Sequence, residues 1–416
     1  MAEITTFEDA EQALDQYRAN AQVPYTLDTM RQLMDYFGNP QEQFKTVHIA
    51  GTSGKTSTAY YTSALLTAAG FKTGLTVSPQ IEHLNERLQI NTQPIPEAEY
   101  CATLHEFLKQ VNASKLKPSY FEVLVALAYW EFARQGVEYV VAEVGLGGLL
   151  DGTNVIQRAD KLAVITDIGF DHTGILGNTL GEIATQKAGI IHAGNEVFMY
   201  QQSPEIMSSV TAAVTACGAR MHIVDTAQAD PIIEALPLFQ QRNFHLAHRV
   251  VDFVGTRESK QLSAHMLAAA TQTVVPARME TIQVGEKTVI LDGGHNQQKL
   301  HALADTLHVK YSKEQIAVLV AISDGDDKRL QGAIDELATL SHNFIVTSFQ
   351  TQSDYVKHSV DTATIKTMLE THDCHVQIVQ DPQEAYHALL AQAEPVLLVT
   401  GSLYLLNHIR PLVERS

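Results

Sequence analysis

The stretch Gly51-Thr52-Ser53-Gly54-Lys55-Thr56-Ser57 sets two glycines and a lysine among four hydroxyl residues. It follows Val47 to Ala50, an apolar run that reads as a buried strand, and leads into Ala59 to Ala69, a helix stopped by Gly70. The glycines let backbone N–H groups turn towards a phosphate. The helix N-terminus adds partial positive charge and Lys55 a full one. Thr56 can offer its hydroxyl to magnesium. A plain Gly-rich turn has no reason to carry Lys-Thr directly after its second glycine, so the stretch reads as a cradle for the phosphates of a nucleotide. The loop is short: G-x-x-x-x-G-K-[ST] needs glycine at position 49, where Ile49 stands.

Other candidates follow expected strands. Ser78 comes after Lys72 to Val77, Glu143 after Tyr139 to Ala142, and His172 after Leu162 to Ile168. Doubly wound sheets bind ligands at these C-terminal strand ends. A carboxylate at Glu143 suits the magnesium of a bound nucleotide, and His172 reads as a ligand residue because it shares that face. Lys187 stands near the end of the expected helix Leu180 to Ile191, where helix physics alone makes it a dipole partner. Glu122, within an expected helix from Tyr120 to Arg134, reads as solvated.

The chain around these residues has 416 positions, enough for two or three domains, and is 45% hydrophobic and 18% charged. Its formal net charge of -18 disfavours nucleic acid as a partner. It also requires any phosphate or carboxylate site to be locally basic or to carry metal. Cys101, Cys217 and Cys374 are far apart and form no C-x-x-C, so neither a disulfide framework nor a zinc site is supported. The N-terminal residues show no signal-peptide core, and no apolar run is long enough to span a bilayer. A soluble, monomeric, cytoplasmic protein is expected, with no membrane partner.

Residues 7 to 37 read as helices broken near Pro24. After the helix Ser263 to Thr273, Pro276-Ala277-Arg278 breaks the pattern, and the domain boundary is placed there: residues 1–275 and 276–416. Beyond it, strands alternate with helices from Thr288 to Thr400. The fold class is therefore α/β: an N-terminal P-loop nucleotide-binding domain with a mainly parallel sheet, plus a C-terminal Rossmann-like α/β domain.

The shorter loop G-T-x-G-K-T resembles that of ATP-dependent amide ligases of the Mur ligase superfamily. Further motifs resemble one family within it, the folylpolyglutamate and dihydrofolate synthases. Gly38-Asn39-Pro40-Gln41 is similar to its leader, Thr76-Val77-Ser78-Pro79 to its T-S-P turn, and Asn85-Glu86-Arg87 with Ile90-Asn91 to N-E-R-I-x-I-N. Glu143-Val144-Gly145-Leu146-Gly147-Gly148 with Asp151, Thr153 and Asn154 resembles E-V-G-L-G-G-x-x-D-x-T-N. Asp171-His172, Leu176-Gly177, Ile183-Ala184 and Lys187-Ala188-Gly189-Ile190-Ile191 resemble D-H-x-x-x-L-G…I-A-x-x-K-A-G-I-I. Asp292-Gly293-Gly294-His295-Asn296 is similar to D-G-A-H-N, and Thr400 to Tyr404 to T-G-S-L-Y.

The resemblance implies roles. Gly51, Thr52, Ser53, Gly54, Lys55, Thr56 and Ser57 would hold the ATP phosphates. Ser78 and Glu143 would ligate a first magnesium, and His172 with a carbamylated Lys187 a second. Lys55, Lys187 and His172 would be catalytic. Asn243 would approach the adenine, while Arg278, Asp292 and His295 would reach the nucleotide from the C-terminal, glutamate-ligase domain, with domain closure completing the site. Arg87 would lie near the folate or the incoming L-glutamate. The implied reaction is ATP-driven addition of glutamate to a folate carboxylate through an acyl phosphate. Three alternatives stay open: a bifunctional enzyme that also joins dihydropteroate to glutamate, a Mur-type muropeptide ligase, and a catalytically silent ATP-binding paralogue.

Several positions depart from the family pattern. Ser53 and Thr56 lean towards the Mur side, and Gln80, Leu149, Phe239 and Gln297 replace commoner residues. The segment between Met221 and Gln240 is short. These departures bear on the substrate more than on ATP. Gln80 and Glu82 offer no large aromatic surface for a pterin, so dihydropteroate is expected to be used poorly.

Overall fold

In the computed structural model, which describes residues 3–20, 25–225, 231–325, 327–352 and 356–413, the apolar runs of the sequence become parallel strands. The chain divides into two compact units. The first runs to Leu236 and includes Gln240–Thr273; the second comprises Pro237–Phe239 and everything from Val274 onwards. The expected break at Pro24 lies outside the described residues, between helices Phe7–Arg18 and Asp28–Tyr36.

The first unit is built on eight strands: β1 (Lys45–Ala50), β2 (Thr73–Thr76), β3 (Gln89–Ile90), β4 (Gln93–Pro94), β5 (Tyr139–Glu143), β6 (Leu162–Ile165), β7 (Glu196–Tyr200) and β8 (Arg220–Val224). Their order is β4-β3-β2-β5-β1-β6-β7-β8. Strand β1 lies centrally, with Ile49 opposite Glu143 on β5 and Ala50 opposite Ile165 on β6, both parallel. The chain leaves β1 for β2 on one side and later winds outwards from β6 on the other. The crevice at the C-terminal ends of β5, β1 and β6 is thus a topological switch point.

Burial on both faces explains the unbroken apolar runs. Val140 and Ala142 of β5 pack on one side under helices Glu97–Ser114 and Tyr120–Arg134. Ala163, Ile165, Val197 and Met199, set by the register on that same side, pack farther across the sheet under helices Leu180–Ala188 and Pro204–Cys217, while Val47, Ile49, Val141 and Val164 are buried on the opposite face. Each large aliphatic side chain so buried contributes about 2 kcal/mol. The helix Tyr120–Arg134 begins in a capping box, in which Glu122 accepts from the Ser119 N–H at 2.7 Å and the Ser119 hydroxyl at 2.8 Å. Glu122 is therefore buried, not solvated as its helical surroundings suggest.

The second unit has a six-stranded sheet. Its strands are β9 (Glu280–Val284), β10 (Lys287–Leu291), β11 (Ile316–Val320), β12 (Asn343–Val346), β15 (His375–Ile378) and β16 (Val396–Thr400), with β13 (Gln350–Gln352) and β14 (Val356–His358) forming a separate ribbon. The order is β15-β12-β11-β16-β10-β9, parallel except for the β9–β10 hairpin.

The mainly parallel α/β architecture agrees with the sequence reading, and the antiparallel edges are additions to it. In the β3–β4 hairpin the turn residues Asn91 and Thr92 have φ of 51° and 66°, the left-handed pair that a two-residue turn demands. Strand β6 stops at Ile165, short of the expected Ile168, because the Asp167 carbonyl turns to meet the phosphate-cradle loop. Among the described residues no helix is long and apolar enough to cross a membrane.

Lys161, just before β6, is fully buried at the end of the sheet opposite the strand ends that carry the candidate residues. Its Nζ donates to the Ile156 carbonyl at 3.1 Å and meets His192 Nδ1 at 3.2 Å. Burial pulls its pKa from 10.5 down to about 7 despite the opposing charge of Glu42. Between those values the unfolded chain binds a proton that the native chain does not, so this residue makes stability rise with pH across that window. Lys161→Met is expected to be more stable than the parent near pH 7 and to lose this part of the rise. Urea midpoints of both proteins at about pH 7 and about pH 9.5 check it; identical pH slopes would contradict it.

Candidate active site

The cradle is the turn between β1 and the helix Lys55–Ala68. Gly54 caps that helix with φ of 87°. A Cβ there would strike Asn243 Oδ1, and a Cβ on Gly51 would strike the Thr166 hydroxyl. Glycine is needed at both positions, at Gly54 for backbone as well as space. The loop is fastened to the segment after β6. Thr52 N and Ser53 N donate to the Asp167 carbonyl at 2.8 and 3.1 Å. The Thr52 hydroxyl donates to Gly169 O at 3.0 Å and accepts from Gly169 N at 3.1 Å. The Asp167 carboxylate is gripped by Arg242 in two bonds of 2.9 and 2.7 Å, and that guanidinium lies 3.9 Å from the centre of the Tyr200 ring.

Two amines converge on the loop. Lys55 Nζ donates to the Gly51 carbonyl at 3.1 Å, and Lys187 Nζ donates to the same oxygen at 2.8 Å. Lys187 is buried near the end of its helix, and the Glu143–Asn154 segment holds that end. Leu149 N donates to Gln186 O at 2.8 Å, and Asn154 Nδ2 donates to Leu149 O at 3.1 Å and Gly189 O at 2.9 Å. A Cβ on Gly148, whose φ is 156°, would lie 2.9 Å from the carbonyls of both Gln186 and Lys187. The motif around Gly148 and the motif around Lys187 are thus two halves of one packed turn. Asp151 closes it, accepting from Leu146 N at 2.8 Å, Thr153 N at 3.0 Å and Thr153 Oγ1 at 2.5 Å. Burial raises the Asp151 pKa against these bonds. Thr153 Oγ1 also meets Nε2 of His48 at 2.8 Å, and burial holds the His48 pKa well below its usual value.

Oxygen donors gather beside the amines. Glu143 is buried at the end of β5; its Oε1 accepts from the Thr56 hydroxyl at 2.8 Å and its Oε2 from Ser78 N at 3.3 Å. Ser78 Oγ is buried with no hydrogen-bond partner among the described residues. One carboxylate and two hydroxyls are hard ligands, and an orphaned hydroxyl is what a metal-binding serine presents, so the set fits magnesium. Among the described residues no group of three or more His, Cys, Asp or Glu could hold a metal by itself. Magnesium ordinarily takes few protein carboxylates and completes its shell with water and phosphate.

Arg87 is buried, its Nε donating to Gln80 Oε1 at 2.5 Å, and it shares a small pocket with Ser78, Glu143 and Phe121. The loop before it folds around Glu86, which accepts from the N–H groups of Ile81, Glu82 and His83 at 2.7, 2.7 and 2.9 Å. The Phe7 ring stacks on His83 at 4.7 Å. His172 caps the short helix Thr173–Leu176 with φ of 51°; half its side chain is exposed, and its Nε2 lies 3.8 Å from Asp171. Asn243, expected near an adenine, sets its amide oxygen against Gly54.

In the second unit Arg278, Asp292 and His295 collect near the end of β10. Asp292 accepts from Gly294 N at 2.8 Å and Met279 N at 3.0 Å. Burial raises its pKa, opposed by the nearby Arg278 charge. His295 Nδ1 lies 2.9 Å from Gly293 O and its Nε2 3.1 Å from Lys299 Nζ.

Sequence reasoning missed Asp167 and Arg242, and it named Asp151 only as part of a family motif, with no role. Arg242 follows Gln241 in the segment that begins the helix, but nothing in its spacing points to a partner 75 positions earlier. Asp167 was legible only as the interior of an overlong strand.

Two family models match the chain: the Mur ligase middle domain over residues 49–247 and the Mur ligase glutamate ligase domain over 277–403. A dihydrofolate synthase/folylpolyglutamate synthase of Bacillus subtilis is 30% identical, covering 92% of this chain and 94% of its own. A folylpolyglutamate synthase of Lacticaseibacillus casei is 30% identical over 71% of this chain and 75% of its own. The crystal structure of Mycobacterium tuberculosis folylpolyglutamate synthase complexed with ADP and AMPPCP superposes with a TM-score of 0.85 at 27% identity, covering 100% of both chains.

The Arg242–Asp167 pair should matter most to the loop it braces. Arg242→Gln is expected to speed hydrogen exchange at the Thr52 and Ser53 amides about tenfold while leaving β5 and β7 amides unchanged. Unchanged exchange at both loop amides would show that the backbone bonds need no such brace.

Proposed function

We propose a function from one premise: the chain belongs to the Mur ligase family, in its folylpolyglutamate/dihydrofolate synthase group. It is an ATP-dependent ligase that adds L-glutamate to the γ-carboxylate of a folate. The observation that supports this best is the meeting of Thr56, Glu143 and Ser78 beside two lysines on the Gly51 carbonyl. A folate carboxylate oxygen attacks the γ-phosphorus of ATP, the bond to the bridging oxygen breaks and ADP leaves, and the carboxylate becomes an acyl phosphate. The amine of glutamate then attacks the acyl carbon, and phosphate leaves. Both reactants of the first step are anions, so the site must offset their repulsion.

The cradle residues Gly51 to Ser57 turn N–H groups to the phosphates, and Lys55 leaves the Gly51 carbonyl to follow the transferring group. Magnesium, when bound, supplies positive charge at phosphate oxygens. Thr56, Ser78 and Glu143 are the residues to hold a first ion. His172 and a carbamylated Lys187 are proposed for a second. In that modification the neutral Lys187 amine adds to carbon dioxide, forming an N–C bond and releasing a proton. The carboxylate so formed lies on a nitrogen already 2.8 Å from the loop's Gly51. Arg87 is assigned to the substrate carboxylate, Asn243 to the base, and Arg278, Asp292 and His295 to the nucleotide.

Dihydropteroate use is the second reading. Phe121 in the pocket and Phe7, stacked on His83, supply aromatic surface that Gln80 and Glu82 do not.

With ATP, magnesium and L-glutamate, tetrahydrofolate is expected to give product faster than dihydropteroate. Lys55→Ala should lose about two to three orders of magnitude in kcat, the usual cost of one such electrostatic contact. Faster product from dihydropteroate would reverse the substrate order, and near-normal turnover in Lys55→Ala would remove the cradle from the chemistry. For Lys187, enzyme equilibrated with ¹³C-bicarbonate should show a carbamate carbon resonance that Lys187→Ala lacks; no difference between the two spectra would count against carbamylation.

A further inference from the structure

The turn that carries Arg278 is strained and held from several sides. Its neighbours Ala277 and Met279 both have left-handed backbones, with φ of 57° and 51°. Residues with a Cβ keep that conformation only where their surroundings enforce it. The Ala277 N–H donates to Glu280 Oε2 at 3.0 Å, and the Met279 N–H to Asp292 Oδ2 at 3.0 Å. The Ala277 carbonyl accepts from Gly293 N at 2.9 Å and from Arg278 Nη1 at 2.9 Å. The direction of the guanidinium is thus tied to the orientation of the Ala277 residue, and Glu280 holds that residue by its N–H.

Glu280 does not stand alone. It is buried on β9 opposite Leu291, and Arg410 grips it: Nε lies 3.1 and 3.0 Å from the two carboxylate oxygens and Nη2 2.9 Å from Oε1. Arg410 comes from the helix Leu403–Val413, whose first residue packs where a side chain on Gly293 would lie. One helix therefore braces the Arg278 turn at both ends.

We infer that Glu280 and Arg410 are positioning residues: their buried ion pair locks the left-handed turn and fixes how Arg278 presents its guanidinium to the phosphates of ATP. The inference rests on the assignment of Arg278 to the nucleotide. It makes a demand that a merely structural ion pair does not. Glycine adopts a left-handed backbone without the steric cost that alanine meets, so a glycine at position 277 lessens the turn's need for the clamp.

The test measures ATP kinetics of the full-length enzyme. Arg410→Gln is expected to lower kcat/KM for ATP about tenfold, with KM for the folate at saturating ATP unchanged. Arg410→Lys, which keeps charge but loses the two-pronged grip, falls between and guards against a variant that fails to fold. Ala277→Gly combined with Arg410→Gln should regain most of the loss. Arg410→Gln should add nothing to Arg278→Ala. Independent, additive losses in that last pair, or no recovery with Ala277→Gly, would overturn the inference. An Arg278→Ala enzyme with parental ATP kinetics would overturn the nucleotide assignment itself, and the clamp's role with it.

Discussion

The turn after β1 passes so close to its neighbours that two of its residues can have no side chain. Gly51 lies against Thr166 and Gly54 against Asn243. That closeness allows the backbone of Thr52 and Ser53 to bond the Asp167 carbonyl, and it sets the Gly51 carbonyl where Lys55 and Lys187 both reach it. The fold serves this turn from several directions: the segment after β6 supplies the acceptor, Arg242 fixes the acceptor's side chain, and the Gly148 turn fixes the helix that delivers Lys187.

An acidic chain that binds anions must concentrate its positive charge. The formal net charge is -18, yet the crevice gathers two lysines, the start of a helix and the hard oxygen ligands of Glu143, Ser78 and Thr56. In a site shielded from water these groups act at far lower dielectric than on the surface, so a few of them suffice to bring a carboxylate to a triphosphate. The relatives at 30% identity carry dihydrofolate synthase and folylpolyglutamate synthase activities in their names, which matches that chemistry.

Much of this was legible in the sequence because local rules govern it. Glycines flanking a Lys-Thr pair after a strand, and Glu143 at a strand end, are patterns whose physics lies within a few residues. What stayed hidden depends on distant contacts. Glu122 reads as a surface residue until Ser119 is seen to fold back on it. Asp167 reads as strand until its carbonyl is seen on the cradle. The hairpins β3–β4 and β9–β10 are short, and strands of two to five residues leave little periodicity to read. Lys187 is the sharpest case. Helix physics alone makes it a dipole partner, the family motif makes it a site residue, and its bond to Gly51 O supplies the physical tie to the cradle loop.

The account stands on the carboxylate being activated by phosphoryl transfer. Folate whose γ-carboxylate carries ¹⁸O, turned over with unlabelled ATP and L-glutamate, tests this directly by mass analysis of the released phosphate. An acyl phosphate passes one carboxylate oxygen to the phosphate, so the account predicts phosphate bearing one ¹⁸O for each amide formed. Amide formation accompanied by unlabelled phosphate would contradict it.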